Sequence, residues 1–179
     1  MSLFFLRHVK TYNNVDARLS GRVETDILPN QIVELPQNDL IFDIVYSSTS
    51  KRCHDTLKLI YDLISCEEIY YTDALLERSL GKLENMPKRK AKTLFPNLFV
   101  NGRIGVDSNI PDGENINDVK QRVYPLIETV LPIAIEHQCL ICSHNQTLKI
   151  MYAIIKEITI TDNYWYEKDF KQGMVFKVI

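Results

Sequence analysis

The stretch Ile41-Phe42-Asp43-Ile44-Val45-Tyr46-Ser47-Ser48-Thr49-Ser50-Lys51-Arg52 changes period part-way along, and that change decides the fold class. Residues 41–46 are apolar and β-branched enough for a buried strand. The four hydroxyl residues after them are good helix N-caps. From Lys51 the apolar positions Leu57, Ile60, Tyr61 and Ile64 recur at helical spacing to about Ser65. Outward from this unit, 2–6 reads as a buried strand ending at Arg7-His8, 68–72 as a third strand and 138–143 as a fourth. Residues 174–179 make a last strand and 146–157 a helix. A stripe of Val119, Val123, Leu126, Ile127, Val130, Leu131 and Ala134 predicts a long helix over 114–137. Pro125 and Pro132 predict a kink or a shifted start within it. Residues 86–112 are broken by Pro87, Pro96, Gly102, Gly105 and Pro111, with a short basic helix around 88–95. Strands alternating with helices make an α/β protein, a three-layer sandwich whose mainly parallel central sheet carries helices on both faces.

At about 150 residues per domain, 179 residues predict a single domain over 1–179. Twenty-one Lys and Arg against 23 Asp and Glu leave a net charge of −2, which points to neither nucleic acid nor membrane as a partner. The apolar run Leu3-Phe4-Phe5-Leu6 is too short for a signal-peptide core or a bilayer span, so a cytoplasmic protein is expected. Cysteines at 53, 66, 139 and 142 suit a reducing compartment. His137, Cys139, Cys142 and His144 resemble a metal quartet by spacing alone. Strand alternation sends 142 and 144 to one face and 137 and 139 to the other, so no metal site is expected there.

Ligands of such sheets bind beyond the carboxyl ends of the strands. Arg7-His8 follows the first strand, Arg52 the second and His144 the fourth. Two arginines and two histidines at one edge make an anion site suited to phosphate, because guanidinium matches phosphate oxygens bidentately and stays charged. The helix starting near Ser50 adds its positive end. Neither a G-x-x-x-x-G-K-[ST] loop nor a G-x-G-x-x-G turn is present, so a nucleotide loop is not the device.

Leu6-Arg7-His8 with Thr11, Tyr46 through Arg52, Leu76-Glu77-Arg78 with Gly81 and Glu84, Pro111-Asp112-Gly113-Glu114, and Ser143-His144 together resemble the histidine phosphatase superfamily. This is also called the phosphoglycerate mutase-like family. The resemblance runs from residue 3 to about 150, with Asn14 and Ser20-Gly21 also fitting. It implies a phosphoglycerate mutase-like fold and a small phosphorylated substrate, with no cofactor. It further implies His8 as a nucleophile that becomes phosphorylated, and Arg7, Arg52 and His144 as ligands of the phosphoryl oxygens. Glu77 becomes the general acid and base, ahead of the nearby Glu67, Glu68 and Glu84. Asn14, Ser20, Gly21 and Asn145 become further phosphate contacts.

Three departures matter. Val9 stands where relatives have glycine after the nucleophile, and valine tolerates positive φ poorly. Lys10 occupies a commonly acidic position. Asn145 replaces a glycine after His144 and accepts left-handed geometry. The length leaves little room for the insertions of the mutases. Glu77 argues against the protein phosphohistidine phosphatases, which lack the acid. The alpha-ribazole and broad-specificity phosphatase branch fits best; a mutase, a phosphohistidine phosphatase and a degenerate phosphate-binding module remain the alternatives. The segment 85–112 is expected to overhang the pocket like a lid, packed down by Leu94, Phe95, Leu98 and Phe99. Its Lys88, Arg89, Lys90 and Lys92 read as a solvated face or as an attractor for a second anionic group. Monomer or homodimer is left undecided.

Overall fold

A computed structural model describes residues 2–66 and 68–179. In chain order its elements are β1 (Ser2–Arg7), α1 (Tyr12–Val15), β2 (Ile44–Ser48), α2 (Lys51–Lys58), β3 (Ile69–Thr72), α3 (Lys88–Leu94) and β4 (Phe99–Val100). They continue as β5 (Arg103–Ile104), α4 (Ile116–Ile133), β6 (Gln138–Ser143), α5 (Asn145–Ile155), α6 (Asp162–Glu167) and β7 (Val175–Lys177). Five strands form one sheet in the order β3-β2-β6-β1-β7. Four of them run parallel, and β7 pairs antiparallel with β1.

Alternation along the strands gives each face of the sheet its own core. Leu3, Phe5, Cys139 and Ile141 pack with Val119, Val123 and Ile127 of α4 and Leu148 and Met151 of α5. Phe4, Leu6, Leu140 and Cys142 pack with Cys53 and Leu57 of α2 on the other side. This is the three-layer α/β sandwich expected from the pattern. It also puts Cys139 and Cys142 on opposite faces, so the apparent quartet cannot converge on one ion.

The boundaries differ from the local reading where long-range pairing intervenes. β2 runs later than 41–46, because Ser47 and Ser48 continue its ladders with β3 and β6. Two of the four hydroxyl residues are therefore strand residues, and Ser50 is the N-cap of α2. That helix ends at Lys58 rather than near Ser65. The chain goes on through a 3-10 turn at Tyr61–Leu63, and Ile64 forms a parallel bridge with Phe42. Ile60, Leu63 and Ile64 still reach the same core, so the apolar spacing survives the break.

α4 runs unbroken through Pro125 and Pro132. Gln121 and Glu128, whose carbonyls lose their partners to these prolines, are exposed, so water can supply the missing donors. The helix starts at a reciprocal cap: Asn115 Oδ1 accepts from the Asn117 and Asp118 amides at 2.8 and 3.1 Å, and Asp118 accepts from the Asn115 amide at 2.8 Å. The last strand is shorter than 174–179. α1 and α6 were not anticipated; at 4 and 6 residues they are too short to show a period.

The segment after β3 has a core of its own. Leu80, Leu83, Ala91, Ile104 and Ile110 pack with Leu19, joined by Phe95, Leu98 and Phe99. Leu94 is 55% exposed and takes no part, which corrects its expected packing role.

Candidate active site

Because β1, β2 and β6 are parallel, the residues that follow them share one edge. His8 follows β1, Arg52 lies in the first turn of α2, and His144 is the N-cap of α5. Their exposures are 6%, 1% and 0%. The two imidazole rings are 5.2 Å apart between centroids.

Hydrogen bonds fix the tautomer of each ring. His8 Nδ1 lies 2.7 Å from the Val9 carbonyl, which can only accept. The proton is therefore on Nδ1, and in the neutral ring Nε2 keeps its lone pair. Arg52 Nε donates to His144 Nδ1 at 3.1 Å, so that nitrogen is unprotonated. The proton of His144 is on Nε2, 3.0 Å from Ser48 Oγ and 3.3 Å from Ser50 Oγ. Burial, reinforced by the Arg52 charge, pushes both rings well below the usual histidine value of 6.5. Arg7 adds to the same effect on each. Both rings are thus neutral at physiological pH.

Arg52 is held by backbone. Its Nη1 donates to the Val23 carbonyl at 2.9 Å and its Nη2 to the Gly21 carbonyl at 2.7 Å. With Nε on His144, three of five N–H groups are used and one remains on each Nη. Gly21 has φ +50, and a Cβ there would lie 2.5 Å from Glu84 Oε1, so this turn requires glycine. Arg7 Nη1 donates to the Phe170 carbonyl at 2.7 Å, while its buried Nε has no partner among the described residues. Asn14 Oδ1 accepts from the Thr11 amide and hydroxyl at 3.0 and 2.9 Å and from Gln172 at 2.5 Å, leaving its amide nitrogen as the donor for a ligand. Ser20 enters through its carbonyl, which accepts from the Val23 amide at 2.9 Å and shapes the turn that carries Gly21.

Glu77 reaches the same edge from the segment after β3. Ser143 Oγ donates to the Leu75 carbonyl at 2.7 Å and Thr147 Oγ1 to the Leu76 carbonyl at 2.8 Å, which ties this segment to the start of α5. Glu77 Oε1 accepts from the Arg78 amide at 3.0 Å, the Thr147 amide at 3.2 Å and the Thr147 hydroxyl at 3.3 Å. Oε2 has only the Gln146 amide, at 3.3 Å, and is the less committed oxygen. Of its sequence rivals, Glu84 is turned toward its own loop, with Oε1 accepting from the Arg22 and Leu80 amides and the Ser79 hydroxyl. Glu68 is exposed at the opposite end of β3. Glu67 lies outside the described residues.

The sequence profile of the histidine phosphatase superfamily (branch 1) matches residues 3–169. The chain belongs to that superfamily. It is 31% identical to a probable phosphatase of Schizosaccharomyces pombe over 79% of this chain and 66% of that protein. It is 26% identical to a 2,3-bisphosphoglycerate-dependent phosphoglycerate mutase of Rhizobium etli, over 88% of this chain and 81% of the mutase. The alpha-ribazole phosphatase of Shigella flexneri has the same fold, with a TM-score of 0.73 at 23% identity over 98% of this chain and 88% of that one. This chain is accordingly an enzyme of the phosphatase class.

In this histidine phosphatase Val9 does not need a glycine backbone, since it is absent from the residues with positive φ. Its amide donates to Thr56 Oγ1 at 3.1 Å, and the His8 amide donates to the Ser143 carbonyl at 3.1 Å, so the loop after β1 is pinned rather than displaced. The Val9 side chain is buried against Gly173, where a Cβ would lie 3.0 Å from Val9 Cγ1 and φ is +67. Asn145 likewise sits in the right-handed helix α5 and makes no use of left-handed geometry. Its side chain donates to Asp169 at 2.7 Å and accepts from the Phe170 amide at 3.1 Å, so it braces the C-terminal segment instead of presenting both polar ends to a ligand.

Arg78 and Glu114, quoted in the motifs without a derived role, turn out to be supports. Glu114 accepts from Arg22 at 2.6 Å, from Arg122 at 3.0 and 3.2 Å and from the Ser79 amide at 2.9 Å. The buried Arg78 bridges the Glu114 and Ser108 carbonyls, each at 2.7 Å. Gln172 and Thr56 orient Asn14 and the Val9 amide. A cavity of about 290 Å³ opens beside the cradle, with Arg7 in its wall. Of the basic run in α3 only Lys88 lines it. Among the described residues no helix is long and apolar enough to cross a membrane.

Proposed function

We propose that this enzyme hydrolyses small phosphate monoesters through a phosphohistidine on His8, without a metal ion. The observation that carries this reading is the His8 Nδ1–H bond to the Val9 carbonyl, which leaves the Nε2 lone pair as nucleophile beside two arginines. Nε2 attacks phosphorus in line as the P–O ester bond breaks. Arg7 Nε, the free Nη hydrogens of Arg52 and the Asn14 amide nitrogen take the charge spreading over the phosphoryl oxygens. His144 sets the angle of Arg52 through their shared hydrogen bond. Glu77 as the acid gives its proton from Oε2 to the leaving alkoxide. The carboxylate then takes a proton from water as that water attacks phosphorus, the P–N bond breaks and Nε2 recovers its lone pair.

The mutase-named relatives favour a second reading, in which a substrate hydroxyl rather than water takes the phosphoryl group. Phosphate release from a panel of monoesters, with EDTA present, tests the first. His8→Ala should lower turnover at least about ten-thousandfold, and brief reaction with labelled substrate should leave an acid-labile phosphoryl group on wild type. Glu77→Gln should cost about a hundredfold or more on alkyl phosphates and much less on p-nitrophenyl phosphate, whose leaving group needs no proton. Tight phosphate binding with no turnover on any ester would favour a binding module. Product phosphorylated on a new hydroxyl, with no phosphate released, would favour the mutase.

A further inference from the structure

The cavity next to the cradle is more than a vestibule. Arg7, Lys88, Arg103 and Lys149 line it against one carboxylate, Asp169. Besides Arg7 Nε, already assigned to the phosphoryl group, two buried polar groups in its wall are incompletely bonded among the described residues. Gln146 Oε1 has no partner. Lys149 is 2% exposed, and its one hydrogen bond runs from Nζ to the Trp165 carbonyl at 2.8 Å. Its nearest carboxylate oxygen, Asp169 Oδ1, is 3.8 Å away, and that same oxygen faces Arg7 at 3.9 Å and accepts from Asn145 at 2.7 Å. A buried ammonium needs a counter-charge and acceptors for its hydrogens. Lys149 has half of one carboxylate and one acceptor.

Packing does not account for a lysine here. Lys149 lies on α5 one turn beyond the Glu77-binding amides, with the Trp165 ring 5.3 Å from Nζ, and an aliphatic side chain would fill the place without burying charge. Burial pushes the Lys149 ammonium down to about 8, with Arg103 and Arg7 adding to the push and Asp169 and Glu77 opposing it. One more negative group in the cavity would hold it charged.

We propose that Lys149 is the specificity residue of this enzyme, binding a second acidic group, carboxylate or phosphate, on the substrate whose phosphate ester meets His8. This rests on the phosphomonoesterase reading given above. Arg103 and Lys88 close the rim around that acid, and Gln146 Oε1 accepts from a substrate hydroxyl. Asp169 occupies the place electrostatically in the free enzyme; its side chain is 46% exposed and can turn outward when the ligand's acid arrives.

Three substrates with one carbon skeleton test this: glycerol 3-phosphate, 3-phosphoglycerate and glycerol 1,3-bisphosphate. Wild type should favour one or both diacidic compounds in kcat/KM by about tenfold or more, as expected for a desolvated ion pair worth one to two decades. The carboxylate and bisphosphate arms say which acid is read. Lys149→Met should remove most of that preference through KM, Lys149→Arg should restore part of it, and Asp169→Asn should increase it. Equal losses on all three substrates in Lys149→Met, or a wild type indifferent to the second acid, would overturn the proposal while leaving the phosphatase intact. The same three ligands titrated onto His8→Ala, with and without Lys149→Met, read the subsite without chemistry. Selective binding there with no turnover by wild type would sustain the subsite and sink the hydrolase.

Discussion

The cradle around His8 and the segment that roofs the neighbouring cavity are built on opposite principles. In the cradle, charged and polar side chains are buried and four of their donors end on backbone carbonyls: Val9 for His8, Gly21 and Val23 for Arg52, Phe170 for Arg7. Val9 follows β1 directly and Phe170 just precedes the segment bridged to Arg7, whereas Gly21 and Val23 sit in a loop whose Leu19 is bonded to Asn85 and Met86. The roof, from the Gly81–Leu83 turn to β5, has a small core of its own and is joined to the rest by short backbone contacts, Leu19 with Asn85 and Met86, Ala17 with Lys88 and Pro111 with Lys82. A site that must hold the same transferring group in every turnover gains from rigid backbone partners. On the proposal above, the wall that reads a second acid rests on a smaller core, which presents Lys88 and Arg103.

The largest effect that could break this contrast is at Arg52. If its fork is set by two carbonyls and His144, Arg52→Lys cannot reproduce the geometry and should lower kcat by about a hundredfold or more at little cost in expression. A lysine variant with near-normal kcat would mean that the cradle needs only a charge, measured simply by steady-state kinetics on wild type and variant.

Acid should separate the two regions more gently. His8 and His144 are depressed below 6.5 in the folded protein, so below that pH the unfolded chain binds protons that the folded one refuses. Stability should therefore fall as pH drops from 6.5 toward their folded values. Glu114 behaves differently. Burial alone would raise it, but Arg122, the Ser79 amide and Arg22 hold it below its usual 4.5. Its contribution is present above pH 4.5 and is lost as pH falls through the lower folded value. Urea midpoints should thus decline in a first limb beginning near 6.5, and hydrogen exchange should show residues 78–86 opening ahead of β1 and β6 in a second limb below 4.5. A midpoint flat across the first limb would show that the two rings titrate normally.

The smallest effect is expected at the position that departs from the family pattern. Val9→Gly should leave kcat within about twofold and lower stability by about 1–3 kcal/mol, because it empties the space above Gly173 without moving the Val9 carbonyl. A large gain in kcat would mean that valine strains the loop after all, which thermal melts and kinetics on one preparation would reveal.

The strand–helix alternation, the parallel sheet and its shared carboxyl edge were legible in the sequence, because period and burial are written locally. Arg7, His8, Arg52 and His144 could be picked out for the same reason: each follows a readable strand. Glu77 needed the family resemblance, since it follows a four-residue strand and stands among other acids. What the tertiary structure alone decided is which partners these groups take. The proton on each imidazole depends on a carbonyl one residue away in one case and on an arginine 92 positions away in the other. The sequence placed position 149 on a helix over 146–157, but its burial, its counter-charge and its cavity come from the fold, with Asp169, Arg103 and Lys88 on three separate segments. Hydrogen bonds and ion pairs act over a few ångströms of space and leave no periodic trace along the chain, so the sequence determined where the site would be and the fold decided what each of its atoms is free to do.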